Sequence, residues 1–209
     1  MHESVLIELQ YLPTVAFFSC LEGKEELILE ANEFFQKQTY RNRTHLLSSQ
    51  QVEVLTVPLQ GANKKIKSKD IRIDDSQKWN KKHWRSIKTC YGKAPFFEFF
   101  ADEFAAVYSK EYTFLWDLNI DLLTICLEIT NQNLKITESD SYEITVSGNV
   151  MDARSLINPK KLDFLKDFYQ TKPYSQIFGN NFEPNLSVLD LLMNEGSNAK
   201  SIIRQSIFK

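Results

Sequence analysis

The sequence predicts an α/β mixed (α+β) fold: a short mixed sheet packed by a helical middle segment and a C-terminal helix. Three observations carry this expectation. Short apolar runs rich in strand-forming residues, Val5-Leu6-Ile7 and Leu27-Ile28-Leu29, open the chain. Between residues 79 and 129 the apolar residues recur at three- and four-residue spacing, the period of an α-helix. Short strand-like runs return at 134–137 and 142–146, separated by polar turns.

The elements follow in order. Val5 to Leu9 reads as a buried strand limited by Pro13, because proline cannot donate to a ladder. Thr14 is placed to cap a short helix carrying Val15, Phe17, Phe18 and Leu21, with Gly23 as its stop. Leu27 to Leu29 is a second buried strand. His45-Leu46-Leu47 and the run 51–59 are expected to pair as a hairpin around Ser48-Ser49-Gln50. Gly61 to Lys69 is a polar basic loop, and Ile71 and Ile73 alternate with polar residues in a further short strand.

Helices follow. Asp75 or Ser76 can cap one that carries Trp84, Ile87 and Tyr91, broken by Gly92 and Pro95. Phe96, Phe100, Phe104 and Val107 form one core stripe, and Leu115, Leu118, Leu122, Ile125 and Ile129 another. Met151 to Pro159 reads as a loop. Ser187 caps the last expected helix, Asp190 stands three residues on as an acidic capping-box partner, and Gly196 ends it. Neither a repeat nor a low-complexity linker interrupts the chain, so one domain over residues 1–209 is expected.

Composition narrows the function classes. Of 209 residues, 43% are apolar, enough for a substantial core. No stretch approaches the roughly 18 uninterrupted apolar residues of a membrane span, and Met1-His2-Glu3-Ser4 lacks the pattern of a secretory leader. A cytoplasmic location is therefore expected. Cys20, Cys90 and Cys126 have no metal-ligand spacing, so reduced buried thiols are expected and no metal site. The net charge of −2 is unevenly spread: residues 61–93 hold eleven Lys or Arg against Asp70, Asp74 and Asp75, about +8, leaving about −10 elsewhere. Such a segment suits an anionic small molecule. Nucleic acid is disfavoured, because only two of the eleven bases are arginine and no nucleic-acid motif is present.

No nucleophile elbow, P-loop or dinucleotide fingerprint occurs. Four polar groups remain. The densest is Gln36-Lys37-Gln38-Thr39-Tyr40-Arg41-Asn42-Arg43. Its arginines suit phosphate or carboxylate, and Tyr40 and Asn42 suit sugar hydroxyls or a base. If it is extended, Gln38, Tyr40 and Asn42 share one face. The second is Trp79-x3-His83-Trp84-Arg85, in which His83 and Trp79 are one helical turn apart and His83 is a candidate general base. The others are Asp152-x-Arg154 and Tyr174-x-Gln176 with Asn185. Three of them also have a structural reading: the first as an exposed polar strand or a hydrogen-bond hub, the second as a structural histidine on a helix, and Asp152-x-Arg154 as a loop brace.

Taken together these blocks resemble the WbqC-like family, in its Bacteroidetes-type branch. Tyr11-Leu12-Pro13, Gln36 to Arg43, Leu55-Thr56-Val57-Pro58, Trp79-x3-His83-Trp84-Arg85-Ser86-Ile87 and Tyr91-Gly92-Lys93-Ala94-Pro95-Phe96-Phe97 carry the resemblance. So do Asp152-x-Arg154, Pro159-Lys160, Tyr174-x-Gln176-x-Phe178 and Asn185 to Gly196, in family order over nearly the whole chain. One departure stands out: many relatives read His-Gln-Pro before Tyr-Leu-Pro, whereas this chain reads Glu8-Leu9-Gln10.

The resemblance implies a role in surface-polysaccharide or O-antigen biosynthesis. The corresponding expectation is a transferase-type enzyme acting on a nucleotide-linked amino sugar, with His83 as base and Asp152 as its orienter. Arg41, Arg43 and Arg85 would hold the diphosphate, and Gln38, Tyr40, Asn42, Trp79, Arg154, Tyr174, Gln176 and Asn185 would line the substrate. The alternative is a non-catalytic binding or scaffold protein in glycan assembly. The sequence identifies no cofactor, and leaves open both a homo-oligomer and whether the chain catalyses at all.

Overall fold

The structure is a computed structural model that describes residues 2–146, 148–161, 165–166, 169–179 and 181–208, with Ile207 and Phe208 described by backbone alone. Its centre is a parallel sheet of four strands: β1 (Ser4–Ile7), β2 (Glu26–Leu29), β7 (Lys135–Glu138) and β8 (Val150–Asp152). Their order is β7-β2-β1-β8. Three antiparallel ribbons surround it: β3 (Arg43–Leu47) with β4 (Val52–Thr56), β5 (Leu59–Gln60) with β6 (Arg72–Ile73), and β9 (Tyr169–Gln170) with β10 (Ile207–Phe208). The expected mixed α/β class holds, with parallel and antiparallel pairings kept in separate sheets.

The helices are α1 (Val15–Cys20), α2 (Trp79–Tyr91), α3 (Phe97–Ser109), α4 (Leu115–Ile129), α5 (Val188–Glu195) and α6 (Ala199–Gln205). Two begin as their sequences dictate. Thr14 accepts from the Phe17 amide at the start of α1, and Ser187 accepts from the Leu189 amide at the start of α5. Asp190 does not close a capping box: its carboxylate turns to Tyr174 and Gln176. Helix α2 begins four residues after Asp75, because a 3-10 turn over Asp75–Gln77, capped by Asp74, precedes it.

Two strand expectations change. Residues 142–146 form no strand, and Ile144 is 88% exposed; an alternating run becomes a strand only where a neighbour can accept its hydrogen bonds. Within the expected loop 151–159, Met151 and Asp152 belong instead to β8, which pairs with β1. It is only three residues long, too short to carry a readable period.

The sheet has two unlike faces. Val5, Ile7, Leu27 and Leu29 are fully buried in the core. The opposite face presents Ser4, Glu26 and Lys135 in one register row, then Leu6, Ile28 and Thr137 in the next. Ser4 and Thr137 both donate to the Glu26 carboxylate. The chain at 138–146 lies along this second face and bounds a cleft of about 650 Å³. Parallel sheets are ordinarily covered on both faces, so a half-open one marks where the fold gives up burial.

Gly196 closes α5 at φ 53, where an added methyl would lie inside the Phe96 ring. Gly196→Ala should therefore cost roughly 1–3 kcal/mol, read as a lower denaturation midpoint with an unchanged slope.

Candidate functional site

The four parallel strands all point the same way, so the residues that follow them collect along one edge. The chain runs from β1 to β2 on one side of β1, and after β7 it returns to β8 on the other. Between β1 and β8 the winding direction therefore reverses, and in open α/β sheets the crevice at such a point, outside the carboxyl ends, is where ligands bind. Here Glu8 follows β1, Glu30 follows β2, Ser139 follows β7, and Asp152 and Arg154 end β8.

These side chains are wired together. Arg154 donates to both carboxylate oxygens of Asp152 at 2.9 and 2.7 Å, and from Nη1 to Glu30 at 3.0 Å. Glu30 also accepts from Ser139 Oγ at 2.7 Å and from the Asn32 amide. Glu8 accepts from the Ser155 amide at 2.7 Å. The Tyr142 ring covers the Arg154 guanidinium at 4.9 Å, a cation–π contact.

Two carboxyls at this edge are pushed in opposite directions. Glu8 is 1% exposed. Burial raises its pKa above the ordinary carboxylate value, and Arg41 and the Ser155 amide only partly offset this. Asp152 keeps much of its side chain in solvent, and the hydrogen bonds from Arg154 hold its pKa below the usual range. Two carboxyls at one edge of a sheet with pKa values shifted apart are the pattern of an acid–base pair.

The sequence-derived candidates divide around this edge. Asp152 and Arg154 lie on it. Arg41 lies beneath it, 2% exposed, with Nε and Nη2 on the two oxygens of Glu33 at 2.6 and 2.7 Å and Nη2 at 3.8 Å from Glu8. Its guanidinium is occupied by the protein's own carboxylates. The motif around it is a turn, with Gln38 at φ 61 and exposed. Tyr40 is buried, its ring 5.3 Å from His45, and among the described residues its hydroxyl has no partner. Asn42 donates to the Val57 carbonyl, and Arg43 is half-buried on β3.

His83 stands elsewhere, in the interior. Its Nδ1 is 2.8 Å from the Tyr11 hydroxyl, the Thr56 backbone is its other hydrogen-bond partner, and the Trp79 ring packs edge-on at 5.2 Å. Burial brings its pKa down to about 4. The structure pairs Asp152 with Arg154, and His83 with Tyr11, and brings no bond between His83 and Asp152. Arg85 is exposed on α2. Tyr174 and Gln176 both donate to Asp190, at 2.7 and 3.0 Å. Asn185 sits at φ 57 with both side-chain amide atoms buried and, among the described residues, unpartnered.

Glu8, Glu30 and Ser139 were not among the sequence candidates. A signal for the two glutamates is present: both buried strands are apolar triplets closed by an acid, Val5-Leu6-Ile7-Glu8 and Leu27-Ile28-Leu29-Glu30. An acid at the end of a buried parallel strand faces the crevice rather than water.

The sequence profile described as the WbqC-like protein family matches residues 10–202. The chain belongs to that family. This WbqC-like protein is also 27% identical over 230 aligned positions to the uncharacterized protein Rv1507c of Mycobacterium tuberculosis, with 98% of each chain covered. No solved structure matches it. Among its described residues no helix is long and apolar enough to cross a membrane.

Two outcomes are expected. Arg41→Ala strands the Glu33 carboxylate in the interior and should cost about 3–5 kcal/mol, measured by denaturant unfolding. Glu8→Gln should do the reverse. Because the folded pKa of Glu8 is raised, its stabilising contribution is complete below the unfolded value near 4.5 and is lost as pH rises through the folded value. The variant should therefore melt above wild type at neutral pH and lose that advantage in acid.

Proposed function

We propose that the chain is a cytoplasmic, transferase-type enzyme acting on a nucleotide-linked amino sugar in surface-polysaccharide assembly. The observation that carries this reading is the gathering of Glu8, Glu30, Ser139, Asp152 and Arg154 at the reversal point of a parallel sheet, beside an open cleft. That cleft is lined by Glu138, Asp140 and Glu143 and by the hydroxyls of Thr137, Ser141 and Thr145. Carboxylates and hydroxyls suit an amine on a polyhydroxylated ring, and would repel a phosphate.

In this reading Asp152, ionised and partly exposed, takes the proton that the acceptor amine loses as it bonds to the transferred group. Glu8, whose pKa burial raises, supplies a proton to the departing group. Arg154 and Glu30 are positioning residues, since they fix the Asp152 carboxylate without meeting the substrate. Family membership supports the sugar context.

The scaffold reading has one observation in its favour: Tyr142 and Ile144, in the segment that lies along the open face of the sheet, are exposed apolar side chains, as a partner surface would be. The two readings part on Asp152→Asn. As an enzyme, the protein should keep its thermal shift with a nucleotide-linked amino sugar and lose turnover by roughly 10²- to 10⁴-fold. If no such sugar shifts wild type, and light scattering instead shows a larger assembly broken by Ile144→Asp, the scaffold reading replaces it.

A further inference from the structure

We propose that Phe34 and Lys67 form a subsite for a nucleoside diphosphate, with the base on the Phe34 ring and the phosphates on the lysines beside it. The inference deepens the transferase reading and rests on it for the identity of the attached sugar.

Past Glu30 the chain alternates. Glu33 turns inward to Arg41, so Phe34 turns outward and is 56% exposed. Phe34 is bridged to Lys67 as an isolated antiparallel pair, with the Phe35 amide on the Ile66 carbonyl and the Ser68 amide on the Glu33 carbonyl. Cβ atoms directly opposite in such a pair lie about 5 Å apart on one face, so the two side chains leave the backbone side by side.

The pair is wired to the candidate site. Lys67 Nζ donates to Asn32 Oδ1 at 2.8 Å. The Asn32 backbone amide donates to Glu30, and its side-chain amide donates to the Ser139 carbonyl. Glu30 in turn holds Arg154. One asparagine thus separates the exposed ring and cation from the acid–arginine cluster.

The charge is also free. Lys64 and Lys65 are exposed on the same loop. Among the described residues, no carboxylate pairs with either of them or with Lys67, whereas Lys69 is paired with Glu138. The acidic cleft would reject phosphate, and this cationic rim beside it would attract it. An exposed aromatic face next to unpaired ammonium groups selects a planar ring joined to an anion. With the base on Phe34 and the diphosphate on Lys67, the sugar is left to the cleft.

The test is calorimetric titration of the full chain at low salt with uridine diphosphate, guanosine diphosphate and inorganic pyrophosphate. It is run on wild type, Phe34→Ala, Lys67→Gln, Asp152→Asn and, as a control on the solvent face of α2, Lys88→Gln. Both target side chains are exposed, so the fold should survive, and circular dichroism checks it. Phe34→Ala should weaken nucleoside diphosphates roughly ten-fold and leave pyrophosphate unchanged, because only the stacking is lost. Lys67→Gln should weaken all three and flatten the salt dependence. Lys88→Gln and Asp152→Asn should bind as wild type. The subsite is overturned if neither nucleoside diphosphate binds, or if binding ignores both Phe34→Ala and Lys67→Gln. A nucleotide-linked amino sugar turned over normally by these two variants overturns the subsite alone. Phe34-dependent binding with full turnover in Asp152→Asn overturns the acid–base assignment alone.

Discussion

Glu8, Glu30 and Glu33 have almost no contact with water, and the polar arrangement of this protein follows from that. An isolated buried carboxylate is far too costly to keep, so the fold draws two arginines inward to meet three acids. Arg41 forks onto Glu33 and approaches Glu8. Arg154 bridges Glu30 and Asp152. The turn at 36–42 exists to deliver Arg41, and α4 holds that turn in place through Asn119, whose amide donates to the Arg41 carbonyl. The short strand β8 exists to deliver Asp152 and Arg154 beside β1.

Charge matching here is incomplete. Glu8 has a guanidinium only at 3.8 Å, too far for a hydrogen bond, and burial raises the pKa of its carboxyl. A core built for stability alone would replace such a group by an apolar one. A buried carboxyl retained at the carboxyl edge of a parallel sheet therefore points to use, since strain and imperfect pairing persist where chemistry needs them. Asp190 is a similar case in the opposite half of the chain: it too is buried and raised in pKa, with Tyr174 and Gln176 both donating to one oxygen of its carboxylate.

Much of the fold was legible. The strands β1 and β2, the β3–β4 hairpin, the caps at Thr14 and Ser187 and the stripes of α3 and α4 all follow from period and turn chemistry. The run 142–146 misled because strand propensity says nothing about whether a neighbouring strand is available. At the site, Asp152 and Arg154 were legible as a polar pair, while from the prominent Gln36 to Arg43 and Trp79 to Arg85 motifs Tyr40, Arg41, Asn42, Trp79 and His83 are buried in the interior. A dense polar motif looks the same in sequence whether its groups face a ligand or face each other.

The sequence alone determined the secondary-structure repertoire, the charge asymmetry and the family resemblance, because these depend on local spacing and on order along the chain. The tertiary structure alone decided which polar groups are spent. Whether Arg41 meets a substrate or Glu33 depends on residues eight apart folding back on each other. Whether Glu8 and Ser155 share a hydrogen bond depends on residues 147 apart. No period encodes those distances; burial and the pairing of charges do.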